Sequence, residues 1–583
     1  RQNYVKGSSV IGEEKSTKNY ITNLGNMTLN GVQIYGSITS KQDSTLNYEF
    51  GNLSKLVVVD NSNIYIKGGS ITSLTDSNTS SNISIENGEI DEIITSSTMS
   101  TYNITGGTFK KSITLSGNSS EKRLAFNISN VVSNIYVSVG SYTDVDASNS
   151  IFSNFSSSSY DKTNSFNFDN MVLNTHSSFA FNSFDMINST FDSLDLNAYS
   201  KSNVDIEKSN GAQIYFTSSD ELENVTIKDI KIIDNKSSYS DFIRVSSKIN
   251  NLNIDNVSVE NTDTVLPSTI FGFYANCNVN IVNTNIITNK TPKFVYYSGS
   301  YNGLLNIKVK DSKIINSSGI ETNNTANITL DNTSINGSSE YGINARGGTI
   351  NLENNSKITG FKKGIFSNPS SRDYKNLITV NDSEIIGTDT ETADGIYFTG
   401  IVNINNSTID KFKNGIRTEV SYYAGTDAEI NINNTNISAY EYGLYSAGVC
   451  NIGTKDGNVN KKFTIKGEKA ATYGNTSARS QGYYDSTGSY VYNTGTIINF
   501  YDGILKTKDL LSTRIDNIDD NMQVKTEKNG EYYDKYLKTS EDMLKEKNYE
   551  YSSNNYSTLN TAIEEAINSV SPKTYLGSKT ATN

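Results

Sequence analysis

The side chains best suited to acid–base or metal chemistry are scarce in this chain. It contains one histidine, His176, in the polar stretch NTHSS, and we interpret it as a surface residue, not as a base or a metal ligand. Asp516, Asp519 and Asp520 in RIDNIDDN offer oxygen ligands of the kind that calcium prefers. Their spacing matches no EF-hand loop, so a solvated acidic turn is the favoured interpretation. Phosphate-binding loops, nucleophile motifs and Cys/His metal clusters are absent from the sequence, which therefore predicts no cofactor, no metal and no catalytic residue.

Tyrosines near turns are the best candidates for ligand contact. The possible ligand-facing aromatics that we select are Tyr296, Tyr297, Tyr397, Tyr422 and Tyr423. Aromatic rings in a row on one surface can bind a glycan or a protein. The alternative is that several tyrosines belong to aromatic stacks that cover the core. We expect this of Tyr440, which stands at the position of Phe412 in the preceding repeat.

Cys277 and Cys450 are the two cysteines of the chain. Each stands just before a strand of the repeat described below, in CNVNI and in CNI, but the two repeats are many coils apart. A disulfide requires Cα atoms within about 7 Å. We therefore expect two unbridged, buried thiols that act as small core residues, and they do not reveal the compartment.

Composition and charge disfavour several kinds of partner. Hydrophobic residues make up 35% of the chain, there are 4 prolines, and Asn, Ser, Thr, Ile and Tyr dominate, which is typical of an all-β protein. The net charge of -12 disfavours nucleic acid and anionic membrane surfaces, since both attract Lys/Arg clusters. Because no run of about 18 apolar residues occurs, we expect no membrane insertion in this segment.

A short repeated sequence pattern must position all of these side chains. Apolar residues alternate with polar ones, Asn or Asp followed by Ser, Thr or Gly forms a turn, and a second short apolar segment follows. Two neighbouring copies, Val402 to Ile416 and Ile430 to Leu444, place an Ile and a Gly 6 residues apart, at Ile409–Gly415 and Ile437–Gly443. Strict alternation predicts a strand with one buried face. A unit this short cannot bury its own apolar face, so it must stack on its neighbours.

The interval between copies favours one kind of solenoid. It varies between roughly 18 and 29 residues, whereas hexapeptide β-helices and nonapeptide rolls keep strict periods. We therefore predict an all-β, right-handed parallel β-helix of about twenty coils over residues 1–505. Asn tolerates the left-handed backbone conformation, and stacked amides can bond the amides above and below. The structural turn ladder that we predict consists of Asn283, Asn332, Asn355, Asp382, Asn406 and Asn434.

The pattern changes toward the C-terminal end. An insertion rich in Gly, Ser and Tyr, residues 477–490, is predicted to project as a loop. Residues 506–550 are predicted to form a cap or junction, because Asn529-Gly530 joins two alternating runs as in a β-hairpin. Residues 551–583 are predicted to hold an amphipathic helix, at 557–570, and a tail that leads to a next module.

The C-terminal sequence segments resemble those of known proteins. The block NIGTKDGNV … YNTGTIINFYDGI, the run NGEYYDKYL and the helix YSTLNTAIEEAI resemble the junction unit of giant tandem-repeat, adhesin-like surface proteins of low-GC anaerobic bacteria. The resemblance covers about residues 451–572, and the insertion at 477–490 departs from it. The coils are similar to the pectate-lyase-like superfamily and to autotransporter passengers. The resemblance implies an extracellular, cell-surface segment of a longer polypeptide. Its implied partners are a host or bacterial surface glycan or protein, or neighbouring copies or modules of the same polypeptide.

Polysaccharide lyases and hydrolases occur in the same superfamily, so their motifs need testing. The Gly-His-Gly and Arg-Ile-Lys motifs of polygalacturonase-like hydrolases are missing, and Asn261-Thr262-Asp263 is a lone Asn-Thr-Asp match that this composition produces by chance. Lyases need an arginine base beside a calcium cage, but Arg346, Arg372 and Arg417 fall at turn or loop positions without acidic clusters. Stacking could still bring two carboxylates together from different coils. We expect a non-enzymatic structural and adhesive segment; the alternatives are a subunit of an extracellular filament and a polysaccharide lyase or hydrolase.

Overall fold

The computed structural model describes residues 2–6, 10–157, 163–300, 302–369, 376–389, 393–423, 426–455, 463–475, 481–493, 495–507 and 550–551. Within these ranges every regular element is a β-strand. None of these residues forms a helix of the length and apolarity needed to cross a bilayer. The chain divides into two compact units, Arg1–Pro292 (unit 1) and Lys293–Asn583 (unit 2).

The strands of unit 1 are β1 (Gln2–Lys6), β2 (Val10–Ile11), β3 (Asn19–Asn23), β4 (Asn26–Ser40), β5 (Thr45–Val58), β6 (Asn63–Ile66), β7 (Ser70–Ser77), β8 (Asn82–Ile85), β9 (Glu89–Ser96), β10 (Thr101–Ile104), β11 (Thr108–Leu115), β12 (Leu124–Ser129), β13 (Tyr136–Val139), β14 (Thr143–Ser148), β15 (Ile151–Phe152), β16 (Asn154–Ser157), β17 (Ser165–Asp169), β18 (Val172–Leu173), β19 (Ser177–Ile187), β20 (Thr190–Glu207), β21 (Asn210–Phe216), β22 (Leu222–Ile232), β23 (Asp241–Val245), β24 (Ile249–Val259), β25 (Thr269–Phe273), β26 (Cys277–Val282) and β27 (Asn285–Ile287).

The strands of unit 2 are β28 (Lys293–Tyr297), β29 (Leu305–Lys310), β30 (Lys313–Ile315), β31 (Ile320–Thr322), β32 (Ala326–Asp331), β33 (Ser334–Asn336), β34 (Tyr341–Ala345), β35 (Gly348–Glu353), β36 (Lys357–Thr359), β37 (Lys363–Ser367), β38 (Leu377–Asn381), β39 (Glu384–Ile386), β40 (Asp394–Phe398), β41 (Ile401–Asn405), β42 (Thr408–Thr418), β43 (Glu429–Asn433), β44 (Asn436–Ser446), β45 (Val449–Ile452), β46 (Thr464–Gly467), β47 (Ala470–Gly474), β48 (Gly482–Tyr484), β49 (Tyr490–Tyr492), β50 (Ile497–Phe500), β51 (Ile504–Thr507) and β52 (Glu550–Tyr551).

In unit 1 each strand pairs in parallel with a strand of the next coil. One such series runs through β6, β8, β10, β12, β14 and β17. Inward positions hold buried aliphatic and aromatic residues, and a run of coils stacks phenylalanines such as Phe155, Phe166 and Phe179. The coil is therefore held by apolar columns that no single repeat could form alone.

Unit 2 contains three parallel sheets that each coil visits in turn. What we call the amide sheet consists of β29, β32, β35, β38, β41, β43, β45 and β50. The aromatic sheet consists of β28, β31, β34, β37, β40, β42, β44 and β47. The third sheet consists of β30, β33, β36, β39, β42, β44, β46 and β51. This arrangement confirms the predicted fold class, an all-β parallel β-helix.

The asparagine turns adopt the backbone conformation that the sequence pattern suggests. The six residues of the predicted turn ladder have φ values between 43° and 66°. The amide of Asn434 donates to Oδ1 of Asn406 at 2.7 Å, and the amide of Asn406 donates to Asp382. The hydroxyl one residue further on is buried and accepts a backbone N–H from the previous coil, as Ser407 Oγ does from Ser383 at 3.1 Å. Each turn is therefore bonded to the next along the stack.

Several predictions at the C-terminal end fall outside the described residues. They are the hairpin of residues 522–537, the helix of residues 557–570 and the acidic group Asp516, Asp519 and Asp520. The insertion predicted as a loop instead contains an antiparallel pair, β48 with β49. A second antiparallel pair joins β51 to β52, so the last strand of the third sheet is covered along part of its edge.

Both cysteines are buried and unbridged, as predicted. Burial raises the pKa of Cys277 to about 12 and that of Cys450 to about 11. Cys277 pairs with Ile249 and Cys450 with Ile430 on the preceding coil, so each occupies a core position that an aliphatic residue fills one coil earlier.

Candidate functional site

An exposed aromatic group of unit 2 surrounds the β48–β49 hairpin. We call Tyr422, Tyr484, Tyr490 and Tyr492 the hairpin cluster. The ring centroid of Tyr490 lies 5.9 Å from that of Tyr422, 5.3 Å from that of Tyr484 and 5.1 Å from that of Tyr492. Tyr492 is 69% exposed and Tyr422 is 54% exposed. The cluster therefore presents a continuous aromatic surface to solvent.

Hydrogen bonds fix the hairpin in place. At its tip, Oδ1 of Asp485 accepts the backbone N–H groups of Thr487 at 2.8 Å and Ser489 at 3.0 Å, and the Thr487 hydroxyl at 2.6 Å. These bonds, the Thr487 hydroxyl first, lower the pKa of Asp485. At its base, Nδ2 of Asn493 donates to the carbonyl of Ala447 at 2.8 Å. A turn closed at the tip and anchored at the base holds the rings with little conformational freedom.

Tyr422 and Tyr423 reach the same region from the loop that follows β42. The backbone N–H of Tyr484 donates to the carbonyl of Tyr422 at 3.3 Å, which ties this loop to the hairpin. Tyr423 is 41% exposed. The structure thus places Tyr422 at this aromatic surface, while Tyr423 is exposed on the same loop. The sequence analysis did not select the hairpin tyrosines Tyr484, Tyr490 and Tyr492. The only indication of them in the sequence was the tyrosine content of this region.

A second aromatic group, the aromatic column, lies on the outer face of the aromatic sheet. It consists of Phe366, Tyr397, Arg417, Tyr445 and Tyr473, which follow one another in register. Phe366 and Tyr397 stack at 4.8 Å with an interplanar angle of 18°, and Tyr445 and Tyr473 stack at 5.3 Å and 28°. Because these rings cover one another's faces, the column stabilises the stacking of coils and offers mainly ring edges to a ligand.

Arg417 lies in the middle of this column, and its predicted placement was wrong. Instead of occupying a turn without acidic neighbours, it belongs to strand β42, with Cζ 5.5 Å from the ring centroid of Tyr397 and 5.0 Å from that of Tyr445. Its Nε and Nη2 donate to Oε1 of Glu419 at 2.9 and 2.7 Å, while Oε2 of Glu419 accepts Asn475 Nδ2 at 2.8 Å. The guanidinium is thereby held by its ion pair with Glu419 and by cation–π contacts with the rings of Tyr397 and Tyr445. Arg346 is exposed in a turn, and Arg372 lies outside the described residues.

The other selected tyrosines divide between the surface and the core. Tyr397 is half-buried in the column, and burial raises its pKa. Tyr296 is half-buried, accepts Asn323 Nδ2 at 3.0 Å, and carries the Lys293 ammonium 4.9 Å from its ring centroid. Tyr297 is fully buried, so its choice as a ligand-facing residue was wrong. In β28 the two neighbouring tyrosines point to opposite sides of the sheet, and Tyr297 is the inward one.

Tyr440 also differs from the prediction. Ala439, not Tyr440, pairs with Phe412, because the register between β42 and β44 shifts at a bulge. The Tyr440 side chain is only partly buried, and its hydroxyl donates to Oδ1 of Asp389. The hydrogen bond to this carboxylate raises the pKa of Tyr440 to about 12.

A buried acid–amide pair lies beside the aromatic column. Asp394 and Asn414 are register partners, 8% and 4% exposed, and Asn414 Nδ2 donates to Oδ1 of Asp394 at 2.7 Å. Oδ1 of Asn414 is buried without a hydrogen-bond partner among the described residues. Burial raises the pKa of Asp394, against the lowering effect of the Asn414 bond.

Unit 1 contains a cleft of about 390 Å³ with carboxylates from several coils in its lining, among them Asp192, Asp234 and Glu260. Oδ2 of Asp192 accepts the Tyr239 hydroxyl at 2.6 Å, and Oδ1 of Asp234 accepts the backbone N–H of Val265 at 2.9 Å. A second acidic contact is the register pair Asp185 and Asp205, where burial and then the neighbouring charge raise the pKa of Asp185. Carboxylates from different coils do meet in this unit. Among the described residues, however, no three His, Cys, Asp or Glu side chains are grouped to hold a metal ion.

The remaining sequence candidates lie apart from these groups. His176 is an exposed residue whose Nδ1 is 3.1 Å from Oγ of Ser193, which is itself fully buried. Asn261-Thr262-Asp263 forms an exposed turn in which Asn261 Oδ1 accepts the backbone N–H of Asp263 at 2.9 Å. Neither arrangement places an acid, a base and an accessible nucleophile together.

Comparisons of this chain with protein-family models, with curated proteins and with solved structures find no match.

Proposed function

We propose that this chain is a non-enzymatic structural and adhesive segment of a large bacterial surface protein, displayed outside the cell. The observation that carries the proposal is the hairpin cluster. Its rings stand on a hydrogen-bonded hairpin and on the loop tied to it, and turns of neighbouring coils are bonded to each other, as Asn434 is to Asn406. Tyrosines held in this way supply a large contact area at a low cost in side-chain entropy, as they do in antibody paratopes. The resemblance of residues 451–572 to junction units of surface proteins supports the same function.

The charges near the hairpin cluster indicate the class of ligand. Asp427 and Glu429 lie in or beside the loop, Glu419 is paired with Arg417, and residues 418–454 contain no Lys or Arg. Such a surface repels anionic polymers and suits a neutral glycan or a protein patch that is neutral or basic. Tyrosine hydroxyls can bond sugar hydroxyls while the ring faces pack on C–H groups.

A binding screen with paired variants tests this function. The whole chain and a Tyr422→Ala/Tyr492→Ala variant are compared on an array of neutral and charged glycans and on host surface proteins. We expect a ligand whose affinity falls at least about tenfold in the variant, since exposed aromatic anchors dominate such interfaces. Tyr296→Ala is the matched control, because it removes a half-buried tyrosine outside the cluster. Binding that is absent throughout, or equal in all three proteins, would contradict the proposal.

A polysaccharide-cleaving enzyme is the second candidate, and the acidic cleft of unit 1 is the observation that favours it. Glycoside hydrolysis needs two carboxylates placed on either side of the scissile bond. The release of reducing ends from the glycans of the same screen measures this activity. Cleavage that is present in the wild type and lost in Asp192→Asn would replace adhesion by catalysis as the function of the chain.

A further inference from the structure

Four basic side chains of the described residues lie over aromatic rings, and each of the four is also paired with a carboxylate. The pairs are Arg244 with Asp241, Lys293 with Glu321, Lys363 with Glu340 and Arg417 with Glu419. The face of an aromatic ring carries partial negative charge and attracts a cation, and the carboxylate adds a full negative charge. The chain therefore builds the same combination of ring, cation and carboxylate at several places.

Both arginines of this set contact two tyrosines. Cζ of Arg244 lies 5.1 Å from the ring centroid of Tyr215 and 4.6 Å from that of Tyr274, and Arg417 contacts two tyrosines of the aromatic column in the same way. The two lysines contact at most one tyrosine each. A guanidinium group is planar and more weakly hydrated than an ammonium group, so it stacks more readily on ring faces. Where two tyrosines meet one of these cations, the cation is an arginine.

The hairpin cluster presents tyrosines that none of these four cations covers. Among the described residues, the rings of Tyr422, Tyr490 and Tyr492 contact other tyrosines, and the four cations lie over different rings. The two chain segments that carry the cluster are also free of basic residues, since residues 418–454 and 481–505 contain no Lys, Arg or His. A cation for these rings is therefore expected from another molecule.

The rings of the cluster are inclined to one another and leave ring faces open. Tyr490 is inclined by 37° to Tyr422 and by 88° to Tyr492, whereas the rings of the aromatic column stack at 18° and 28°. Rings that meet edge to face cannot cover both faces of each other. Tyr422 and Tyr492 are also more than half exposed. Ring faces of the cluster are therefore available to a cation from solvent.

Carboxylates border the same hairpin. Asp485 follows Tyr484 directly, and the hydrogen bond from the Thr487 hydroxyl, ahead of the bonds from backbone N–H groups, lowers the pKa of Asp485, which is therefore charged at neutral pH. After burial, the charges of Asp427 and Asp485 raise the pKa of Tyr483, so both carboxylates lie near the hairpin. Their field attracts a cation to this part of the surface and repels an anion.

We propose that the hairpin cluster binds an arginine side chain of a partner protein. The inference rests on the proposed adhesive function and narrows its ligand to a guanidinium group, which packs on the open ring faces beside the charge of Asp485. The choice of arginine over lysine follows from Arg244 and Arg417, the two cations of this chain that each contact a pair of tyrosines. The partner is a protein because the cations that complete the other four sites are amino-acid side chains.

Three peptides that differ in one side chain test the proposal on the whole chain. They are acetyl-Gly-Ser-Xaa-Ser-Gly-amide with arginine, citrulline or lysine at the central position. Citrulline nearly keeps the shape of arginine and has no charge. Saturation-transfer-difference NMR at millimolar peptide concentrations measures the affinities. We expect the arginine peptide to bind at least about threefold more tightly than the citrulline peptide, and more tightly than the lysine peptide. Added salt should weaken the binding of the arginine peptide.

Variants of the cluster locate the binding site. Tyr422→Leu and Tyr490→Leu should each weaken the binding of the arginine peptide at least about threefold. Tyr422 lies in the loop, so its replacement leaves the two strands of the hairpin unchanged. Tyr296→Leu is the matched control and should bind as the wild type does, because its ring lies outside the cluster and already contacts Lys293. Circular dichroism establishes that the variants fold.

Several results would overturn the proposal. They are the absence of peptide binding, equal affinity for the arginine and citrulline peptides, a lysine peptide that binds as tightly as the arginine peptide, and binding that both cluster variants retain. If a neutral glycan of the earlier screen bound through the cluster and the arginine peptide did not, the adhesive function would stand and the arginine site would not. If neither the peptides nor the screen gave a ligand that depends on the cluster, both proposals would fail.

Discussion

The carbonyl oxygen of Gly443 lies 2.5 Å from the position that a β-carbon on Gly415 would occupy. Gly342, Gly364 and Gly395 approach the next glycine of the same column in the same way. An Ile of the following coil fills the remaining space, as Ile437 does beside Gly415. This packing explains why these coils carry both an Ile and a Gly, which lie 6 residues apart at Ile409–Gly415 and Ile437–Gly443. The backbones of neighbouring coils are in close contact at these glycines, because glycine has no side chain.

A methyl group at Gly415 should therefore destabilise unit 2. We expect Gly415→Ala to lower the free energy of unfolding by roughly 1–3 kcal/mol, because the carbonyl of Gly443 and the Ile437 side chain would both have to move. Chemical denaturation followed by circular dichroism measures the change. Gly488→Ala is the control for backbone freedom, since nothing lies within 4 Å of its added carbon but its φ of 80° lies in the left-handed region that favours glycine. No loss in Gly415→Ala would mean that the Gly443 carbonyl and the Ile437 side chain move without cost and that close packing does not select glycine in the column.

The fold was predictable because its signals are local. Alternation of apolar residues sets the inward face, and the turn residues, such as Asn406 at φ 51° and Asn434 at φ 43°, need a backbone conformation that few residues tolerate. Cys277 and Cys450 occupy inward positions of the same alternating pattern, so their burial followed from it as well.

The surface groups were not predictable, because they depend on register between distant residues. Arg417 meets Tyr397 and Tyr445 only because coils of unequal length stack in register, and the loops that set those lengths have no fixed period. The shift at Tyr440 arises from a bulge, which moves the pairing by one residue and leaves no clear trace in composition. Tyr422 and Tyr484 come together from chain segments about sixty residues apart.

A buried carboxylate in unit 1 should matter for stability although no sequence pattern marks it. Asp76 is fully buried, and its oxygens accept the hydroxyls of Thr79 at 2.5 Å, Thr98 at 3.1 Å and Tyr102 at 3.1 Å. Asp76→Ala would leave the Tyr102 hydroxyl in the core without the carboxylate that accepts it, whereas Thr79 and Thr98 keep their contacts with Ser100 Oγ at 2.9 and 2.8 Å. We expect a loss of roughly 1–3 kcal/mol in the free energy of unfolding.

Thermal and chemical unfolding of three variants tests this role of Asp76. Asp146→Ala removes an exposed carboxylate of the same unit and should change stability little. Tyr102→Phe removes one donor and should cost less than Asp76→Ala. If Asp76→Ala lowered the free energy of unfolding no more than Asp146→Ala does, water would have to replace the lost carboxylate oxygens as hydrogen-bond acceptor.

The thiols should be inert in the folded protein. Burial raises the pKa of Cys277 to about 12 and that of Cys450 to about 11, so little thiolate forms near neutral pH. We expect an aromatic disulfide reagent to modify neither thiol in the native chain and both after denaturation. Cys450→Ala should lower the denatured count to one. Rapid labelling of the native chain would show that the coils around these residues open readily.

The pair of Asp394 and Asn414 should make the stability of unit 2 depend on pH. Burial raises the pKa of Asp394 above its ordinary value, so folding favours the protonated carboxyl. The stabilisation that this provides is complete below the pKa of the unfolded chain and is lost as the pH rises through the folded pKa. Above that pH the folded chain must bury a charge beside Oδ1 of Asn414, which lacks a hydrogen-bond partner among the described residues.

Asp394→Asn should therefore stabilise the protein at neutral pH and not in acid. An amide at this position can still accept from Asn414 Nδ2 and can also donate to Asn414 Oδ1, as neighbouring amides do between Asn403 and Asn431. We expect a gain of roughly 1–3 kcal/mol at about pH 7 that disappears near pH 3. Asp43→Asn, an exposed carboxylate of unit 1, should leave the pH dependence unchanged. If Asp394→Asn destabilised the protein at neutral pH, Asp394 would have to be charged in the fold, and the positive charges of Arg417, Lys363 and Lys413 would then outweigh its burial.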